Sequence, residues 1–301
     1  MIGTYVYHNS LAGYLCMCLS IGIGLMLARL EDAPVVLTNW RTRVVQASAF
    51  ILSPKMRLRL LLVVMVIALV LTRSRMGNAA FFAAMLIVGS IAIVLARKTA
   101  PKTIALIASL VIIDVLVVGT WIGLEKVVER IQDTEITTAA GGKSESVEAR
   151  TDAARMALPI VGDFPLVGTG GGSFYNLFLS YKTSKYDSLY FDHTHNDFVE
   201  IASDYGLLGL GLLGALVALT LWTVLAVLAR RRSRLPRGMA FGVAMSIVAL
   251  LIHSAVDFNL QIPANALTIV VILAIGWVTH TLPSPASRRK SSSGKRSINP
   301  G

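Results

Sequence analysis

Acidic residues are scarce in this chain, 17 Asp and Glu against 28 Lys and Arg, and only 15% of its 301 residues are charged. A soluble domain of that length needs far more charge on its surface, so the shortage excludes an ordinary water-soluble fold. Cysteine is nearly absent as well. Cys16 and Cys18 both fall inside one apolar run, which excludes a disulfide framework and a thiolate metal site and leaves them as core residues. There is no HExxH pattern, no Lys-Ser/Thr ending after the glycine-rich stretch 168–172, and no visible internal repeat. What the chain has in quantity is apolar: 54% hydrophobic residues and a mean hydropathy of +0.67 place it in a bilayer.

A spanning helix needs roughly 20 apolar residues to cross about 30 Å of hydrocarbon. Seven runs approach that length, at 10–29, 57–72, 79–96, 103–124, 206–229, 239–259 and 264–281. The predicted fold is therefore all-α, a polytopic integral membrane protein with about seven transmembrane helices and one large periplasmic loop containing short helices. Residues 1–124 form the N-terminal helices, 125–205 the loop subdomain, 206–282 the C-terminal helices and 283–301 a disordered basic cytoplasmic tail. The formal net charge of +11 does not call for nucleic acid, because the basic residues gather at helix ends. Lys55–Arg59, Arg97 to Lys102, Arg230–Arg237 and Arg288–Lys290 read as cytoplasmic, each separated from the next by an even number of crossings. Val44 to Leu52 reads as a helix lying at the interface.

With that orientation residues 73–78, 125–205 and 260–263 emerge together on the outer side. Arg73 and Arg75 run against the charge rule there, which points to an anionic ligand, because a guanidinium fork matches phosphate oxygens in a bidentate way. Val147 to Leu158 reads as an amphipathic helix capped by Ser144 or Ser146 and ended at Pro159, with Arg150 and Arg155 pointing outward. The glycine-rich stretch reads as a tight turn before it reads as a phosphate cradle. His253 and Asp257 are expected on one face of the sixth run, Asp257 near its outer end, in a structural role or positioning a substrate or histidine. His193 and His195 lack the partners of zinc ligands. A histidine, whose unperturbed pKa is about 6.5, can take a proton from a sugar hydroxyl, with Asn196, Asp197 or Glu200 fixing its tautomer.

These segments together resemble the membrane-embedded O-antigen ligase and O-antigen polymerase (Wzy-like) family: Asn9-Ser10-Leu11-Ala12-Gly13, Ser74-Arg75-Met76-Gly77, Arg150, Asp163 to Phe174, His195-Asn196-Asp197-Phe198 and His253 to Pro263. Members usually carry further helices upstream, so the resemblance implies that the N-terminal helices are lacking here and leaves open whether the chain is complete. It implies a glycosyltransferase of the inner membrane that moves a glycan from a polyprenyl-pyrophosphate carrier to an acceptor sugar or lipid A-core, among membrane lipids and with no metal or other cofactor. His195 would be the catalytic base, and Arg75 and Arg150 the pyrophosphate ligands with Arg73 beside them. His193, Asn196 and Glu200 would orient groups or touch substrate, and Asp257 would stand behind them. Ligase, polymerase and protein glycosylation stay open. The alternative is a polytopic transporter of a small or lipid-linked substrate, which would place ionisable residues near the bilayer midplane and not at its outer edge.

Overall fold

The structure is a computed structural model describing residues 5–29, 53–96, 147–183 and 191–282, and every regular element among them is helical. In chain order the α-helices are α1 His8–Ala28, α2 Pro54–Leu71, α3 Arg75–Ala96, α4 Val147–Asp163, α5 Phe174–Leu177, α6 Asp197–Arg230, α7 Arg234–Ser254 and α8 Pro263–Thr281. Short 3-10 turns follow at Phe178–Ser180 and Asn259–Gln261. Five helices, α1, α3, α6, α7 and α8, are long and apolar enough to cross a membrane. The 57–72 run is also a helix, α2, but its first two turns carry Lys55, Arg57 and Arg59 and it is not among the five. The 103–124 run, the 44–52 segment, Ser144, Ser146 and the tail 283–301 lie outside the described residues.

Local chemistry sets the helix ends, and three of them correct the sequence reading. α2 starts at Pro54, three residues before the apolar run: the Ser53 hydroxyl accepts the Met56 N–H at 3.2 Å, and Pro54 supplies the fixed φ of a first turn. α4 does not end at Pro159 but continues to Asp163. A proline deletes one helical hydrogen bond, and the burial of Ala153, Ala157 and Ile160 against Phe174, Phe178 and Phe191 outweighs that loss. α6 starts upstream of the apolar run, because its first turns are polar yet buried inside the protein: Asp197, Glu200, Ser203 and Asp204 are all covered. α7 ends at Ser254, before Asp257, where the Asn196 side-chain amide takes the Ala255 carbonyl at 3.0 Å.

α7 is the hub, packed against α1, α3, α6 and α8. Lipid tails are as apolar as leucine, so close packing and interhelical hydrogen bonds must hold membrane helices together. Small residues recur every fourth position on both sides of the α1–α7 seam, Ser20, Gly24 and Ala28 facing Gly238, Gly242 and Ser246. A Cβ on Gly24 would collide with the backbone of Gly238 and Gly242, so the two main chains touch. The Ser246 hydroxyl crosses the seam and donates to the Met17 carbonyl at 3.1 Å. At one end of the bundle Arg231 binds the carbonyls of His280 and Leu282, the latter at 3.0 Å. At the other end the starts of α1, α3, α6 and α8 meet the finish of α7, tied by Asn265 to the Ser10 carbonyl at 2.9 Å and by Asp197 to Ser254 at 2.6 Å.

Candidate functional site

The α2–α3 connection is three residues long and brings Arg73 and Arg75 to this polar end. Thr72 donates its hydroxyl to the Leu69 carbonyl at 2.6 Å and accepts the Ser74 N–H at 3.2 Å. The Ser74 hydroxyl then accepts the Gly77 N–H at 3.1 Å, starting α3. Between them Arg73 sits at φ +57°, in the left-handed region. His195 takes a similar value, φ +55°, just before the cap of α6. Its neighbour Asn196 makes that cap, its side-chain oxygen accepting the N–H groups of Phe198 and Val199 at 3.0 and 3.1 Å. Among the described residues Arg73 and His195 are the non-glycines at positive φ. Such backbone costs on the order of 1–3 kcal/mol each and persists only where the surroundings impose it.

Both residues line one cleft of about 520 Å³. Its walls are His8 and Asn9 of α1, Arg73, Arg75 and Met76, then Arg150, Thr151 and Ala154 of α4, His195 and Asn196 before α6, and Ala255 and Val256 after α7. Five residues singled out in the sequence, Arg73, Arg75, Arg150, His195 and Asn196, thus share a cleft although they span positions 73 to 196. The first turns of α1, α3 and α4 and the cap of α6 all open onto it. Helix N-termini carry partial positive charge and add to the guanidinium groups, while the C-terminal end of α7 at Ala255 and Val256 contributes partial negative charge. Arg155 lies elsewhere on α4, with its side chain 74% exposed and 3.9 Å from Asp152.

His193, Glu200 and Asp257 are not in the cleft wall but stand behind it. Glu200 is buried and binds His193 Nδ1 at 2.6 Å, the Thr194 N–H at 2.9 Å and the Thr194 hydroxyl at 3.2 Å. Burial disfavours charge on His193, but the hydrogen bond and charge of Glu200, with help from Asp192 and Asp197, outweigh it and raise the imidazole above its ordinary value. Asp257 lies 4.0 Å from His195 Nδ1 and 3.7 Å from His253 Nε2. The sequence reading placed His253 and Asp257 on one helical face; they do meet, but across the end of α7. Asp197 and Asn196 do not orient an imidazole: Asp197 accepts from Ser254 and from the Leu260 N–H at 3.0 Å, and Asn196 caps α6.

Sequence reasoning missed Phe258. Its ring stacks on His193 with centroids 4.3 Å apart and meets His195 edge-on at 5.0 Å. Tyr7 packs edge-on against the same ring at 5.2 Å and donates its hydroxyl to Asp192 at 2.7 Å. His8 and Asn9 were also missed as cleft residues, although Asn9 belongs to a segment already quoted. The glycine-rich stretch is a turn filled by the chain's own anion. Asp204 accepts the Gly172 N–H at 2.7 Å and the Phe174 N–H at 3.2 Å, occupying the amides an exogenous phosphate would need. Among the described residues no three of His, Cys, Asp and Glu converge to hold a metal ion.

A protein-family model described as O-antigen ligase matches residues 60–214, from α2 to the kink of α6 and beyond. A comparison with curated proteins finds no match.

Proposed function

This chain belongs to the O-antigen ligase family, multi-pass membrane proteins of glycosyl transfer, and from that premise we propose that it moves a glycan from a polyprenyl-pyrophosphate carrier to an acceptor sugar at the periplasmic face of the inner membrane. The acceptor hydroxyl attacks the anomeric carbon, the bond from that carbon to the phosphate oxygen breaks, and the carrier leaves as the pyrophosphate. The electron pair of the broken bond stays on the leaving oxygen. Arg75 and Arg150, with Arg73, hold that growing negative charge, helped by the helix N-termini around them. His195 receives the hydroxyl proton as the new bond forms. Asp257 holds the His195 ring, while Glu200, His193 and Asn196 fix the turn that carries it. A finished polymer transferred to lipid A-core and a repeat unit added to a growing chain use this same step.

The observation that carries the reading is the single cleft in which Arg73, Arg75, Arg150 and His195 stand together. Two of its five charged or titratable walls sit on costly backbone, which supports a site held in place for a ligand. The test is reconstitution of the full chain in liposomes with a polyprenyl-pyrophosphate glycan and several acceptors, reading transfer and product length. His195→Ala should lower turnover by about 10²–10⁴-fold, the usual contribution of a general base, while the protein still inserts and folds. Arg75→Ala and Arg150→Ala should raise the donor KM, and lysine should restore charge without the bidentate fork. Full activity of folded His195→Ala protein would reject the assignment.

A further inference from the structure

The segment after α4 turns back on itself and presses against α6 where that helix kinks. Thr169 and Gly170 donate their N–H groups to the carbonyls of Ser203 and Asp204 at 3.0 and 2.9 Å. In return Leu207 and Leu208 donate to the carbonyls of Pro165 and Leu166 at 2.8 and 3.2 Å. Gly206 makes the kink, with φ +67° and ψ −177°, and a Cβ there would strike the Leu166 backbone. The elbow 164–170 is therefore a fixed part of the fold. Yet its apolar side chains stand outside the core: Phe164 is 44% exposed, Leu166 65% and Val167 72%.

Rigid exposed apolar groups that adjoin one another mark a surface meant to be covered. Here the cover is indicated by what continues the patch. Leu207, Leu208 and Leu212, all within two turns of the kink in α6, are 54%, 57% and 74% exposed, and they begin the exposed apolar side of a helix long and apolar enough to span a membrane. Depth agrees with this. Arg230 ends α6 24 residues after Gly206. That is about 36 Å of helix at 1.5 Å per residue, against about 30 Å of hydrocarbon, so the kink sits at the headgroup boundary.

We infer that the elbow Phe164–Leu166–Val167 is a non-spanning membrane contact, its side chains inserted between phospholipids at the boundary of the leaflet that α6 enters. The elbow closes the C-terminal end of α4, so this contact fixes the helix bearing Arg150 against the bilayer surface. The contact itself does not depend on which reaction the cleft performs.

Spin labels report it directly. Cysteines are introduced singly at Val167 and at Leu166 in the full chain carrying Cys16→Ala and Cys18→Ala, labelled, and reconstituted in phosphatidylcholine liposomes. Arg155→Cys is the water reference, and Leu212→Cys the lipid reference. Labels at both elbow positions should behave like Leu212: readily reached by oxygen, which concentrates in lipid, and severalfold less accessible than Arg155 to a water-soluble nickel chelate. Nickel accessibility equal to that at Arg155 would overturn the proposal. So would protection from both reagents, which would mean that protein, another copy or a partner, covers the elbow. The two labelled sites give independent readings should one variant fold poorly.

Discussion

At Asp257 one buried carboxylate lies within ion-pair distance of two imidazoles, 4.0 Å from His195 and 3.7 Å from His253. Asp257→Asn keeps the shape and removes the charge. If Asp257 holds the His195 ring for proton transfer, the variant should lose kcat on the order of tenfold, about 1.4 kcal/mol of barrier, with donor KM little changed. Steady-state transfer kinetics check this, and a rise in KM with kcat intact would assign Asp257 to binding. As cleft residues, Arg73 and Arg75 were legible because charge at the outer end of an apolar helix needs a reason, whereas Arg150 and His195 were singled out through the family resemblance. Phe258, His8 and Asn9 were not, since an aromatic ring or a neutral polar residue near a helix end reads as ordinary packing or capping. Only the fold brings Phe258 between two histidines located some 60 residues upstream.

Among elements, α6 carries the sharpest constraint. Gly206 occupies a region of backbone space essentially reserved for glycine, and its missing Cβ leaves room for the Leu166 carbonyl. Gly206→Ala should destabilise the protein by about 1–3 kcal/mol from backbone strain alone, with the clash adding to that. Its thermal unfolding midpoint in detergent should fall, whereas Gly211→Ala, where nothing stands near the position of a Cβ, should be neutral or slightly stabilising. An unchanged midpoint for Gly206→Ala would contradict the strapped kink. The spans themselves were legible, because crossing hydrocarbon demands a long apolar run whatever the neighbours do. Their ends were not. α6 extends through turns whose polar residues are buried against the rest of the protein, and α7 is stopped by an asparagine from a distant segment.

For the molecule as a whole, alternation of the helices gathers the cleft at one end and the Arg230–Arg234 cluster at the other. In the proposed orientation a thiol at Val6, 81% exposed beside the cleft end, should react with an impermeant reagent added to the periplasmic side. A thiol at Leu235, in the basic cluster, should react only after the membrane is permeabilised. Labelling of both from one side would break the topology. Apolar runs and charge bias revealed which ends meet, because both are written along the chain. They did not reveal that α7 is the hub, since in a bilayer a side facing lipid and a side facing another helix are equally apolar. The rows of small residues on α1 and α7 were the one mark of their partnership, and they carry a further consequence. With main chain against main chain from Ser20 to Ala28, no isoprenoid tail can slide through that seam. The lipid-linked donor proposed above would have to come in from another flank of the bundle, so the direction of its approach would be restricted by glycines that never touch it.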